Sequence, residues 1–65
     1  MSKIKELRKA QKMTQTELAR LAGVSQPHIH DLENGNRHAS PETLERIAKG
    51  LGVTVQDLQD AEKGA

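Results

Sequence analysis

Residues 15–34, QTELARLAGVSQPHIHDLEN, hold two short helical patterns joined by the four residues Ala22-Gly23-Val24-Ser25. Helices shorter than roughly 12–15 residues are marginal in water on their own. Each pattern therefore has to be held by packing, against the other and against the rest of the chain. Ala19 is small and falls where two crossing helices would touch. Leu18, Ala22, Val24, Ile29 and Leu32 fall where such a crossing buries side chains. A chain built around this segment is confined to a helical fold in which one short helix is braced across another and keeps an outward face.

The remaining sequence supplies the braces. A first helix is expected over about residues 3–12, with Ser2 as N-cap and Ile4, Leu7 and Ala10 on one face. Thr14-Gln15-Thr16-Glu17 reads as a capping box that starts a second helix over residues 15–22, with Leu18 and Leu21 as its apolar stripe. Gly23 supplies the left-handed turn after it. Ser25 caps a third helix over about residues 26–34, and Pro27 sits in its first turn, where a missing N–H is harmless. After a polar loop, Ser40-Pro41-Glu42 opens a fourth helix carrying Leu44, Ile47, Ala48 and Leu51, and Gly52 stops it. A fifth helix follows Thr54, with Val55 and Leu58 inward and fraying expected over residues 61–65. No alternating strand pattern is present. The expectation is an all-α, compact five-helix bundle forming a single domain over residues 1–65.

Composition narrows the function. The 65 residues contain no Cys, Phe, Tyr or Trp, so the core rests on Leu, Ile, Val, Ala and Met without disulfide or thiolate-metal support. A bundle this small has no room for a ligand cavity of roughly 300 Å³ or more. Glu17 and Glu42 are explained as helix-start acids, and Ser25 as a cap without an orienting acid or oxyanion site, so an enzyme is not expected. His28 and His30 are two apart and point about 160° away from each other on a helix. With His38 in a loop, no metal site and no cofactor are expected. No apolar run approaches the roughly 20 residues of a membrane span, and MSKIKELRKAQK has no signal-like apolar region. A cytoplasmic protein is the expectation. The net charge is +1, but residues 1–20 carry six basic and two acidic side chains, whereas residues 41–65 carry three basic and five acidic ones. The basic end suits phosphate and the acidic end points away.

The paired patterns, the tight turn and the small crossing residue are the layout of a helix-turn-helix, whose second helix is offered to the DNA major groove. With Ile29 and Leu32 in the core, successive rotations of about 100° turn Pro27, His30 and Asp31 outward and place Gln26 and His28 on the flanks. Ser25 lies at the tip. Gln26 is the best candidate base reader, because a glutamine amide gives and takes hydrogen bonds in one plane and matches adenine N6 and N7. Pro27 offers apolar contact, His28 and His30 offer donors, and Asp31 offers an acceptor for cytosine N4. Gln15 opens the second helix, where free N–H groups favour a phosphate, and its side chain can also brace Gln26. Asn34, Asn36, Arg37 and His38 follow the third helix and are placed to hold the DNA backbone.

TQTELARLAGVSQPHIHDLENG, with LERIAKGLGVTVQDL downstream, resembles the Cro/CI (Xre-type) helix-turn-helix family of phage and bacterial regulators. The resemblance spans residues 4–58 and implies the lambda-repressor-like DNA-binding fold. It implies phosphate contact and support of the reading helix by Gln15, and base and backbone contacts from Ser25, Gln26, Pro27, His28 and Asp31. It further implies phosphate binding at Asn34-Gly35 and an ion pair between Arg8 and Glu33. Pro27 stands where many relatives have a polar reader, and Asp31 places a negative charge toward DNA. The expected function is sequence-specific binding of double-stranded DNA by a transcriptional regulator, a repressor, acting as a homodimer on an inverted repeat. The competing expectation is a protein partner, as for an antitoxin.

Overall fold

The computed structural model describes the backbone of residues 2–63 and the side chains of residues 2–59. Five helices follow one another: α1 (Ser2–Ala10), α2 (Gln15–Ala22), α3 (Gln26–Glu33), α4 (Pro41–Leu51) and α5 (Val55–Lys63). Among the described residues there is no strand, and the all-α five-helix bundle stands. Of the tail expected to fray, residues 64 and 65 and all the side chains lie outside the described residues.

Local chemistry sets the helix starts. The Thr14 hydroxyl accepts from the Glu17 amide at 3.0 Å, and the Glu17 carboxylate accepts from the Thr14 amide at 2.9 Å. These hydrogen bonds hold the exposed Glu17 carboxyl below its ordinary value, the backbone one contributing most. Thr54 and Asp57 repeat the arrangement ahead of α5 at 3.1 and 3.0 Å, a second box with a shorter acid that was not read from the sequence. Ser25 and Ser40 cap α3 and α4 as expected. Ser2 lies inside α1 rather than before it.

The helix ends share one geometry. Residues with φ of 55°, 71°, 77° and 72° follow α1 to α4, namely Lys12, Gly23, Gly35 and Gly52. After α2, the Val24 amide reaches back to the Ala19 carbonyl at 3.0 Å around Gly23, closing the helix while turning the chain toward α3. Lys12 adopts the same conformation with a side chain attached, and the Met13 amide reaches the Arg8 carbonyl at 3.0 Å. This turn ends α1 at Ala10, short of the expected residue 12.

The core comprises Ile4, Leu18, Ala19, Ala22, Ile29, Leu32, Leu44, Ile47, Ala48, Leu51 and Leu58, with Leu7, Met13, Val24, Ala39, Val53 and Val55 packed against it. Helix α2 is central, packing against both α3 and α4. Two expected core positions are corrected. Leu21 is 58% exposed, because the inward face of α2 is completed by Ala19 and Ala22 and Leu21 is turned to its rim. There it lies over Gly50, where an added Cβ would come within 3.2 Å of the Leu21 Cβ. Ala10 is exposed, and its place on the inner face of α1 is taken by Arg8, a buried charge.

Candidate nucleic-acid interface

Helix α3 is buried at its base, and Ser25 and Pro27 are exposed at its tip. Ile29 and Leu32 are 0% exposed and Glu33 is 6% exposed. At the other end, the Ser25 hydroxyl accepts from the His28 amide at 3.3 Å, and the chain enters the helix through Gln26 and Pro27. Pro27 and His30 are exposed, as the helical rotation predicts, and Gln26 and His28 on the flanks are half-buried; Asp31, expected outward with Pro27 and His30, is half-buried as well. On the surface, Asp31 Oδ1 lies 3.6 Å from His30 Nδ1.

A chain of hydrogen bonds runs from α1 through the base of α3 and the start of α2 to the tip of α3. Arg8 donates from Nε to Glu33 Oε2 at 2.7 Å and from Nη2 to Glu33 Oε1 at 3.2 Å. Its Nη1 donates to the Met13 carbonyl at 2.7 Å. Gln15 Nε2 donates to Glu33 Oε1 at 2.9 Å, and Gln26 Nε2 donates to Gln15 Oε1 at 2.7 Å. Gln26 and Glu33 are seven residues apart, close to two helical turns, and so share the flank of α3 that faces α2. The expected Arg8–Glu33 pair and the expected bracing of Gln26 by Gln15 are thus both present.

The bond that joins them, Gln15 to Glu33, was not anticipated. The separation of seven between Gln26 and Glu33 was its one available signal. The Glu33 side chain is 1% exposed. Burial is the largest influence on its carboxyl and pushes it up, but hydrogen bonds from Arg8 and Gln15 and the charges of Arg8 and Lys5 together hold it below its ordinary value. Glu33 is therefore ionised at neutral pH.

The segment after α3 turns its main chain inward. The amides of Asn34, Gly35 and Asn36 donate to the carbonyls of His30, Leu32 and Asp31 at 3.1, 3.3 and 2.9 Å. The Asn34 side chain also donates to the His30 carbonyl, at 2.8 Å. These three amides are thus turned away from a bound anion, and the side chains of Asn36, Arg37 and His38 are exposed. At the start of α2, the capping box uses the amides of Thr14 and Glu17, and half-buried Gln15 stands at the positive end of the helix. Among the described residues, no group of three or more His, Cys, Asp or Glu side chains is arranged to hold a metal ion, and no helix is long and apolar enough to cross a membrane.

Two short helices, α2 packed against α3 with small Ala19 buried on α2, and with Ser25 and Pro27 exposed where the second begins, define a helix-turn-helix. The helix-turn-helix family model matches residues 4–58, and the chain belongs to that family, in its Cro/CI (Xre) type. It is 38% identical over 56 residues to the HTH-type transcriptional regulator DdrOP3 of Deinococcus deserti, covering 86% of this chain and 43% of that protein. It is 36% identical over 64 residues to the control protein C.MunI of a Mycoplasma species, covering 95% of this chain and 86% of that protein. The chain thus spans under half the length of the first relative and most of the second. Among solved structures, it superposes with a TM-score of 0.84 and 28% identity on the restriction-modification controller protein C.AhdI of Aeromonas hydrophila, covering 86% of this chain and 85% of that one.

Proposed function

We propose that this chain is a sequence-specific DNA-binding transcriptional regulator, acting as a repressor by occupying an operator. Helix α3 enters the major groove tip first, with Gln26 as the base reader and Ser25, Pro27, His28, His30 and Asp31 around it. Gln15 contacts phosphate at the start of α2. Asn34, Asn36, Arg37 and His38 hold the backbone on the other side. The observation that carries this reading is the hydrogen bond from Gln26 to Gln15, which fixes a polar reader at the exposed tip of a buried-based helix. The names of the relatives, a transcriptional regulator and two control proteins, support the same class.

One such helix covers only a few base pairs, so useful specificity calls for two copies on half-sites about 34 Å apart. Leu58 is 0% exposed and serves the core, which turns the dimer contact away from the inner face of α5. Selection from a random double-stranded library at two salt concentrations tests the reading. An inverted repeat is expected, with affinity falling steeply as salt rises. Recovery of no sequence at either salt rejects it in favour of a protein partner.

A further inference from the structure

Resting on the reading of Gln26 as a base reader, we propose that Glu33 is a specificity-determining residue. By accepting hydrogen bonds only, it forces the amides of Gln15 and Gln26 into one orientation and so sets Gln26 to read adenine rather than guanine.

A glutamine amide can be turned end for end without changing its shape, exchanging a donor for an acceptor. At the tip of α3 that choice decides which base fits. An ionised carboxylate has no donor, so the Gln15 atom facing Glu33 Oε1 at 2.9 Å must be Nε2. The reverse orientation would set two oxygens against each other beside a side chain that is 1% exposed. Gln15 then presents Oε1 to Gln26, and Gln26 must bring Nε2 inward to meet it at 2.7 Å. What remains to Gln26 is its Oε1 and one N–H. Adenine offers a matching donor at N6 and acceptor at N7 in the major groove, whereas guanine offers acceptors at both O6 and N7. Guanine in the same pose places its O6 against Gln26 Oε1. The preference is thus set seven residues away, by the direction of hydrogen bonds, and Glu33 touches no base. Arg8 completes the device by donating to both oxygens of the carboxylate at 2.7 and 3.2 Å and holding it in place.

The test changes the direction and then restores it. In Glu33→Gln, Arg8 retains the oxygen of the new amide, whose nitrogen then faces Gln15. Gln15 must turn over, and Gln26 after it. Measured on the selected site and on the same site with guanine at the adenine position, this variant is expected to lose about tenfold of the preference for adenine. In Gln15→Glu with Glu33→Gln, the acceptor-only group moves one step along the chain and again draws Gln26 Nε2 inward. This double variant is expected to recover the preference while binding all sequences more weakly, because a negative charge now faces phosphate. Retention of the preference in the single variant, or its absence in a folded double variant, overturns the proposal.

A measurement on the unaltered protein guards against variants that do not fold. One side-chain N–H of Gln15 and one of Gln26 are expected to exchange with solvent more slowly than those of exposed Gln56, and equal exchange at all three overturns the proposal. Failure of the underlying reading has a different signature. The unaltered chain then selects no DNA, or Gln26→Ala leaves the selected site unchanged, and the role of Glu33 falls with it.

Discussion

Glu33 Oε1 accepts from Gln15 Nε2 at 2.9 Å while its carboxylate is clamped by Arg8 at 2.7 Å, so one buried acid ties α1, α2 and α3 together. The pair is enclosed, with side-chain exposures of 10% for Arg8 and 1% for Glu33. Removing one partner from such a pair strands the other charge, which typically costs about 3–5 kcal/mol. Arg8→Ala is therefore expected to leave this small domain largely unfolded at 37 °C, while Arg8→Met with Glu33→Leu loses less than either single change. Urea titrations of Arg8→Ala, Arg8→Met, Glu33→Leu and the double variant check this, and a loss under about 1 kcal/mol for Arg8→Ala would mean that the pair is solvated.

Acid should act through the same carboxylate. The folded Glu33 carboxyl lies below its ordinary value of 4.5, so its contribution to stability is fully present above that value and is lost as pH falls through the folded one. Glu17 and Asp57 are lowered too, chiefly by backbone hydrogen bonds within their capping boxes, and contribute with the same sign. The urea midpoint is expected to hold from pH 7 to about 5 and then decline toward pH 3. In Glu33→Gln the decline should be shallower but still present, and an unchanged decline would assign it to the two caps alone.

Base reading and backbone holding separate by their signatures. Gln26→Ala is expected to lose about 1–3 kcal/mol on the selected site and relax specificity there. Arg37→Ala should weaken all sequences alike and reduce the salt slope by about one unit. Equal loss on every DNA for Gln26→Ala contradicts base reading, and an unchanged slope for Arg37→Ala places that side chain away from phosphate.

Ala19 is 3% exposed on α2, the helix that packs against both α3 and α4, and helix-turn-helix spacing sets it at the crossing with α3. Ala19→Leu inserts volume with nowhere to go, and overpacking typically costs about 1–3 kcal/mol. DNA affinity should fall together with the melting temperature, since α3 is held in place by its packing on α2. An unchanged melting temperature removes Ala19 from the crossing.

Lys12 holds φ at 55°, a conformation that costs a residue with a Cβ roughly 1–2 kcal/mol. Lys12→Gly is expected to raise the melting temperature by several degrees, since about 1 kcal/mol shifts a domain of this size by roughly 4–8 °C. Thermal denaturation at neutral pH decides the sign, and a lower melting temperature would show that unfolded-state entropy outweighs the relief.

Most of the architecture was legible in the sequence because it rests on local chemistry. The Thr14–Glu17 box, Ser25 and Ser40 as caps, and Gly23 and Gly52 as stops each act within four residues, and they bound α2, α3 and α4. The end of α1 was misread because Lys12 carries no glycine-like signal for the turn it makes. Leu21 and Ala10 were misplaced because apolar spacing states which face a helix can bury, not how far its neighbours reach around it. The bracing of Gln26 by Gln15 was legible from helix position and the family resemblance.

The sequence by itself determined five helices, the caps that start α2, α3 and α4, the helix-turn-helix layout and the outward place of Pro27 and His30, because these follow from caps, turns and periodicity that act over a few positions. Only the tertiary structure decided that Glu33 joins the Arg8 pair to the two glutamines. That junction needs α1, α2 and α3 to converge on one carboxylate, and the direction of each hydrogen bond is set by the one group in the chain of contacts that can only accept.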